Sequence, residues 1–275
     1  MQHQKIEAVD PSNAGLLADH VSVRIGKTSI VSDVSFQANA GEILAIIGPS
    51  GSGKTTLLRA MTGELSYTGH VLLNGLEVNK LPPEAQAQMR GVLPQLSQIS
   101  FPLTVSEVIG LGLLDKQQTR RERILRIAEA LSKVGLAGFE GRSYQDLSGG
   151  EQQRVQLARV LCQVWEPVSD DGTPRWLYLD EPVSSLDIKH QYQIMRLAAD
   201  FAEKGGGVVA VMHDLNLTLT FAERVLVMRK GETLAFGASE KVMRTDLLSR
   251  AYDFPLTLTR CAVAGAPIVV PVTGR

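Results

Sequence analysis

Residues 48–56 read Gly48, Pro49, Ser50, Gly51, Ser52, Gly53, Lys54, Thr55 and Thr56, a complete phosphate-binding loop of the form GxxxxGK[ST]. Glycines in such a loop let backbone amides converge on phosphate oxygens, and the positive end of the following helix faces the same anion. Lys54 is placed to reach the β and γ phosphates of a nucleotide, and Thr55 to offer its hydroxyl to Mg²⁺. A glycine-serine turn can mimic this spelling. Here an apolar run at 42–47 precedes it and a helical run at 55–61 follows, which is the strand–loop–helix context the motif requires.

Trp176, Leu177, Tyr178 and Leu179 form an apolar run that ends in Asp180 and Glu181. Neighbouring side chains at a strand end point in different directions, so two acids can take two roles. Asp180 can hold Mg²⁺, directly or through water, and Glu181 can polarise an attacking water. Two acids after a strand also make an ordinary surface turn; the phosphate loop upstream favours the chemical reading, while the residues alone leave open which group is the base. His213 follows the apolar run 208–212 and precedes Asp214. It is either a solvated strand end or a hydrogen-bond partner of a γ-phosphate and the attacking water. Gln95, after Val92, Leu93 and Pro94, can serve Mg²⁺ or water as a neutral polar ligand.

Leu147, Ser148, Gly149, Gly150 and Glu151 stand before a helical run that begins near Gln152. The serine and the two glycines can present a hydroxyl and amides at a helix start, which makes a second anion-binding surface. A plain helix cap explains the serine and leaves both glycines unexplained. One triphosphate would be clamped if this second surface came from another copy of the chain.

The elements around these residues fit an α/β fold. Short apolar runs at 16–36, broken at Gly26–Lys27 and at Ser32–Asp33, predict paired strands, and 71–73 followed by Asn74 and Gly75 predicts a strand and turn. The stretches 105–114, 120–134 and 152–161 read as helices, with Ile124, Ile127, Ala128, Leu131 and Val134 spaced for one buried face. This middle part, about 96–165, predicts a helical subdomain inserted into the core. A helix at 189–202, a strand at 208–212 and a strand pair at 225–228 and 233–236 complete the pattern. Residues 1–15 read as a flexible leader, 16–254 as one domain, and 255–275 as an extension with no functional reading.

The 275 residues suffice for a well-buried core, and the formal charge of −1 does not favour nucleic acid as a partner. Two distant cysteines, Cys162 and Cys261, suit a reducing compartment and suggest neither a disulfide framework nor a metal site. The first residues lack a secretory pattern and no window is long and apolar enough for a membrane span, so a cytosolic protein is expected.

Taken in order, these motifs resemble those of the ATP-binding-cassette ATPases over about residues 16–254. The resemblance implies a P-loop NTPase core with an antiparallel β subdomain and an inserted helical subdomain. It implies a head-to-tail homodimer with ATP and Mg²⁺ sandwiched between the subunits. Lys54 and Thr55 then lie in the phosphate loop, Asp180 is the magnesium carboxylate and Glu181 the catalytic base. Gln95 links nucleotide to a transmembrane partner, and Ser148, Gly149 and Gly150 close on the opposite subunit's ATP. Residues 184–187 communicate across the dimer, and His213 senses the γ-phosphate. Two departures stand out. Val23, Arg24, Ile25 and Gly26 lack the aromatic that usually stacks on adenine, so packing falls to Arg24 or Ile25. Val183 and Ser185 stand where Thr and Ala are common, with little effect on hydrolysis expected.

Arg90 to Gln95, Phe101, Pro102, Thr104 and Val105 look like the importers of iron chelates, heme and cobalamin. Cys162 to Trp165, the polar insertion up to Pro174, Arg175 and Trp176, and the ending Gly265 to Pro271 are similar to heme-importer ATPase subunits. That implies a peripheral protein on the cytoplasmic face of the bacterial inner membrane. Its partners would be two permease subunits and, through them, a periplasmic heme-binding protein, with no heme ligand needed in this chain. Ferric-siderophore or cobalamin import is the nearest rival, and a soluble cassette acting on ribosomes or DNA is a rival from another class. The absence of a tandem cassette or a long coiled insertion speaks against the latter.

Overall fold

The structure is a computed structural model that describes residues 15–95, 99–114, 118–261 and 266–272. It begins with strands β1 (Gly15–Ile25), β2 (Thr28–Asn39) and β3 (Ile43–Ile47), then helix α1 (Lys54–Met61) and strands β4 (Thr68–Leu73) and β5 (Leu76–Glu77). Helix α2 (Pro83–Met89) leads to strand β6 (Arg90–Leu93), and helices α3 (Val105–Gly110), α4 (Arg120–Lys133) and α5 (Gly149–Gln163) follow. The chain returns through β7 (Trp176–Asp180), α6 (Ile188–Glu203), β8 (Gly207–Val211), α7 (Leu215–Phe221), β9 (Arg224–Arg229) and β10 (Glu232–Ala238). It closes with α8 (Ser239–Val242), α9 (Thr245–Tyr252), β11 (Leu256–Arg260) and β12 (Pro267–Pro271).

The central sheet has the order β10-β9-β3-β8-β7-β6, parallel from β9 to β6 with β10 antiparallel at the edge. Every residue of β3, β7 and β8 is buried, as expected for strands covered on both faces. Side chains alternate between two cores. Ile43, Ala45 and Ile47 pack with the residues of α3, α4, α5 and α6 on one face. Leu44 and Ile46 pack with α1 and the antiparallel sheet β2-β1-β4-β5 on the other. The expected layering of parallel core, antiparallel β subdomain and helical insertion is present, and the helical part shares its core with the sheet.

Helices α3, α4 and α5 each start with a capping box: Thr104 with Glu107, Thr119 with Glu122, Ser148 with Glu151. Several sequence expectations need correction. Ser32–Asp33 is no turn: β2 runs through it, and Asp33 takes φ 54° at an irregularity in the β1–β2 register. Helix α3 stops at Gly110, short of residue 114. Beyond it the chain passes close against α5, where a Cβ at Gly112 would collide with the Arg159 carbonyl. Helix α5 begins at Gly149, so both glycines lie inside its first turn rather than ahead of it. On α4, Ile124 is 56% exposed and Ala128 only half-buried, while Ala130 joins Ile127, Leu131 and Val134 in the core. The packed face is the one turned to α3 and α5, which lies round from Ile124. The expected leader falls outside the described residues except for Gly15, which opens β1.

This burial yields a direct comparison. Leu131→Ala should lower unfolding stability by about 2–5 kcal/mol through the cavity it leaves, whereas Ile124→Lys should change it by less than about 0.5 kcal/mol. Urea melts of the two variants measure both effects, and a large loss at Ile124 would contradict the packing described.

Candidate functional site

Every residue singled out above in the parallel sheet lies at the carboxyl ends of its strands, where open α/β sheets leave a crevice. Register fixes the row: Leu93 pairs with Leu179, Asp180 with Val211, and Ile46 with Val211. Gln95, Asp180–Glu181, His213 and Gly48 therefore follow the ends of β6, β7, β8 and β3, which are successive neighbours.

The loop after β3 is tightly folded. Gly48 takes φ 148°, and a Cβ there would collide with the Met228 carbonyl of β9. Gly53 takes φ 97°, and its Cβ would sit 2.9 Å from the Ile30 carbonyl of β2. Gly51, at φ 75°, faces open space beside exposed Ser50, with Pro49 and Thr56 half-buried. The loop is buttressed by the β9–β10 turn, where the Gly231 amide donates to the Ser52 carbonyl at 3.1 Å and the Gly231 carbonyl accepts from Ser32 at 2.8 Å.

Inside this curl Lys54 is buried, and its ammonium donates to the Gly48 and Pro49 carbonyls at 2.9 and 3.1 Å. Burial pulls its pKa below the ordinary lysine value, opposed by the Glu181 and Asp180 carboxylates. The Ser52 hydroxyl is buried with no hydrogen-bond partner among the described residues. Such an orphaned polar atom in a loop of amides suits a ligand rich in acceptors.

The Thr55 hydroxyl donates to Asp180 Oδ1 at 3.0 Å. Burial raises the Asp180 pKa, and the Thr55 hydroxyl works against that rise. Glu181 follows in the left-handed region at φ 51°. His213 Nε2 meets Glu181 Oε1 at 2.6 Å. Gln95 is exposed two residues past Leu93.

At the start of α5, the Ser148 hydroxyl donates to Glu151 Oε2 at 2.6 Å and accepts from the Glu151 amide at 3.4 Å. The plain cap is thus made. Gly149 has nothing within 4 Å of a Cβ position, and Gly150 is packed against Leu186.

One connection went unread in the sequence. The Gln153 side chain donates from Nε2 to the Glu181 carbonyl at 3.1 Å and accepts at Oε1 from the Ser185 hydroxyl at 2.7 Å. It ties the first turns of α5 to the acid turn, and the serine at 185 supplies a bond that an alanine could not. Among the residues flanking the missing aromatic, Arg24 is folded onto the Lys27 carbonyl at 3.1 Å, while Ile25 is 56% exposed. Of the two, Ile25 is the apolar surface left for a base.

The Thr55–Asp180 bond is open to direct test. In Thr55→Val the Asp180 carboxyl loses the donor that opposes its rise, so its pKa should move further up, as measured by NMR titration. An unmoved Asp180 would show that the hydroxyl is not bonded there in solution.

Known proteins match this arrangement. The family profile described as ABC transporter matches residues 31–184, more than half of the chain. A hemin import ATP-binding protein HmuV of Mesorhizobium japonicum is 52% identical over 256 residues, covering 92% of this chain and 97% of its own. One from Rhizobium leguminosarum is 53% identical over 251 residues, covering 91% and 95%. Among solved structures, the dimeric post-hydrolysis state of the ATP-binding cassette MJ0796 bound to ADP and Pi superposes with TM-score 0.72 at 28% identity, covering 82% and 98%. The ADP conformation of MJ1267, an ATP-binding cassette of an ABC transporter, does so with TM-score 0.69 at 22% identity, covering 85% and 94%. With the phosphate loop, the acid turn and the capped serine-glycine helix all in one such fold, the chain belongs to the ABC transporter family as an ATP-binding cassette.

Proposed function

We propose that this chain is the ATP-hydrolysing subunit that powers hemin import through a membrane permease. The observation that carries the ATPase reading is the meeting of Lys54, the Thr55–Asp180 pair and the Glu181–His213 pair on adjacent strand ends. The cargo reading is supported by the 52% identity to a hemin import ATP-binding protein over 92% of the chain.

In this reading the amides of 48–56 and Lys54 bind the β and γ phosphates of ATP. Thr55 and Asp180, two hard oxygen donors already facing each other, fit Mg²⁺, with Gln95 as a neutral third donor. That ion would neutralise phosphate charge. Glu181 takes the proton of the attacking water, and His213 aligns both the carboxylate and the γ-phosphate side of the site. Ser148, Gly149 and Gly150 receive the phosphate tail held by a second copy, in line with the dimeric cassette to which the chain is similar. The permease is the natural spanning partner, because no helix among the described residues is long and apolar enough to cross a membrane. The chain would then sit peripherally on the cytoplasmic face of the inner membrane, with a periplasmic heme-binding protein delivering cargo to the other side of the permease.

Glu181→Gln should leave ATP binding intact, lower turnover by about 10²-fold or more and trap an ATP-bound dimer. Filter binding, phosphate release and gel filtration read these three outcomes, and rapid hydrolysis by this variant would remove Glu181 from the role. For the cargo, ATP-driven uptake into vesicles holding the co-purified permease should occur with hemin. Uptake of a ferric siderophore or cobalamin without hemin would replace the hemin reading, and stable association with ribosomes or DNA would replace transport altogether.

A further inference from the structure

Helix α9 and the extension after it, which the sequence leaves without a functional reading, are bonded into both halves of the site. Tyr252 ends α9, and its phenolic oxygen accepts from the Gly48 amide at 3.1 Å. That bond holds the first residue of the phosphate loop. Burial pushes the Tyr252 phenol up to about 12, so it stays neutral at any physiological pH. At the other end Asn216 stands in the first turn of α7, three residues after His213. Its side chain pairs with the backbone of Val269 in both directions: Nδ2 donates to the carbonyl at 3.3 Å, and Oδ1 accepts from the amide at 2.8 Å.

Between these two anchors the connection is continuous. Val269 on β12 pairs with Leu258 on β11. The Leu258 amide donates to the Thr245 hydroxyl of α9 at 2.9 Å, and Ser249 of α9 is bonded to both the amide and the carbonyl of Leu256, at 3.0 and 2.9 Å. The Asp214 carboxylate accepts from the Asn216 and Leu217 amides at 2.7 and 2.9 Å, which locks the turn carrying His213 to the start of α7. His213 in turn meets Glu181 at 2.6 Å.

We propose that α9 and the β11–β12 hairpin form a strap that holds the phosphate loop and the His213 turn in fixed register, with Tyr252 and Asn216 as its two positioning residues. Neither side chain touches the reacting atoms. Each acts through a backbone segment that does. The bonds are well matched to this task. Asn216 mimics a strand edge, so it fixes the hairpin in translation and in rotation. Tyr252 grips an amide whose residue has no side chain and cannot be held otherwise. The catalytic part of this inference rests on ATP hydrolysis at the site described above.

The test reads one anchor after cutting the other. Tyr252→Phe keeps the ring and deletes the hydroxyl, so exchange of the Gly48 amide should rise directly. Asn216→Ala lies at the far end, yet it should raise Gly48 amide exchange as well, by about 3–10-fold, the loss of one hydrogen bond's worth of holding. Asn216→Asp, which retains the acceptor for the Val269 amide, should fall between parent and alanine. In ATPase assays the two single variants should show the same split between KM and kcat, and the double variant should be no worse than either, because one cut already frees the strap. Unchanged Gly48 exchange in Asn216→Ala would overturn the proposal, whether NMR finds the hairpin detached, which denies the coupling, or still attached, which denies Asn216 its role as anchor. So would kinetic effects that differ in kind and multiply in the double variant. A parent chain that fails to hydrolyse ATP would sink the proposed function instead, while the exchange measurement would still decide whether the strap exists.

Discussion

The nucleotide end of this molecule depends on a curl of backbone too tight for side chains. At Gly48 the chain passes directly over the Met228 carbonyl, and at Gly53 it presses on the Ile30 carbonyl, both in left-handed conformations. That curl allows the Lys54 ammonium to turn inward onto the Gly48 and Pro49 carbonyls. It brings the antiparallel sheet, through β2, against the end of the parallel one. A side chain at Gly48 would push the loop off β9, and one at Gly53 would push it off β2, so these two positions set both the shape of the loop and its packing against two sheets.

Burial then sets the electrostatics. Lys54 and Asp180 are both nearly inaccessible, and desolvation moves their pKa values toward each other, the lysine down and the aspartic acid up. Each is partly restored by neighbours: the two carboxylates for Lys54, the Thr55 hydroxyl for Asp180. A buried cation and a buried anion that are not fully satisfied by one another are prepared for a charged ligand between them. Beside them, Glu181 and His213 are more exposed and bonded to each other.

What the sequence makes legible has a clear physical limit. Strands β3, β7 and β8 are readable because apolar runs buried on both faces stop abruptly at a glycine or a polar residue, and that stop places Gly48, Asp180 and His213 at one edge. The phosphate loop is readable because its glycines and lysine are fixed by backbone geometry. The packed face of α4 is not, since Ile124 has the right spacing and the wrong side: whether an apolar residue packs depends on where the neighbouring helices lie. Asp33 looks like a turn because its residue type suits one, yet pairing with β1 overrides that preference. Gln153, Asn216 and Tyr252 are silent in the sequence for a third reason. Each bonds a backbone group from about 30 to 200 positions away, and backbone groups leave no signature in residue spelling.

The order of strands has a bearing on how the protein comes into being. Strand β3 lies between β8 and β9, partners that follow it by well over a hundred residues. During synthesis, Ile43–Ile47 must therefore wait, apolar on both faces, for Gly207–Val211 to pair one edge and then for Arg224–Arg229 to pair the other. The antiparallel pair β1–β2 and the individually capped helices α3, α4 and α5 can form earlier from neighbouring residues, but the phosphate loop can take shape only near the end. A nascent chain of this kind acquires its ability to hold a nucleotide late and all at once.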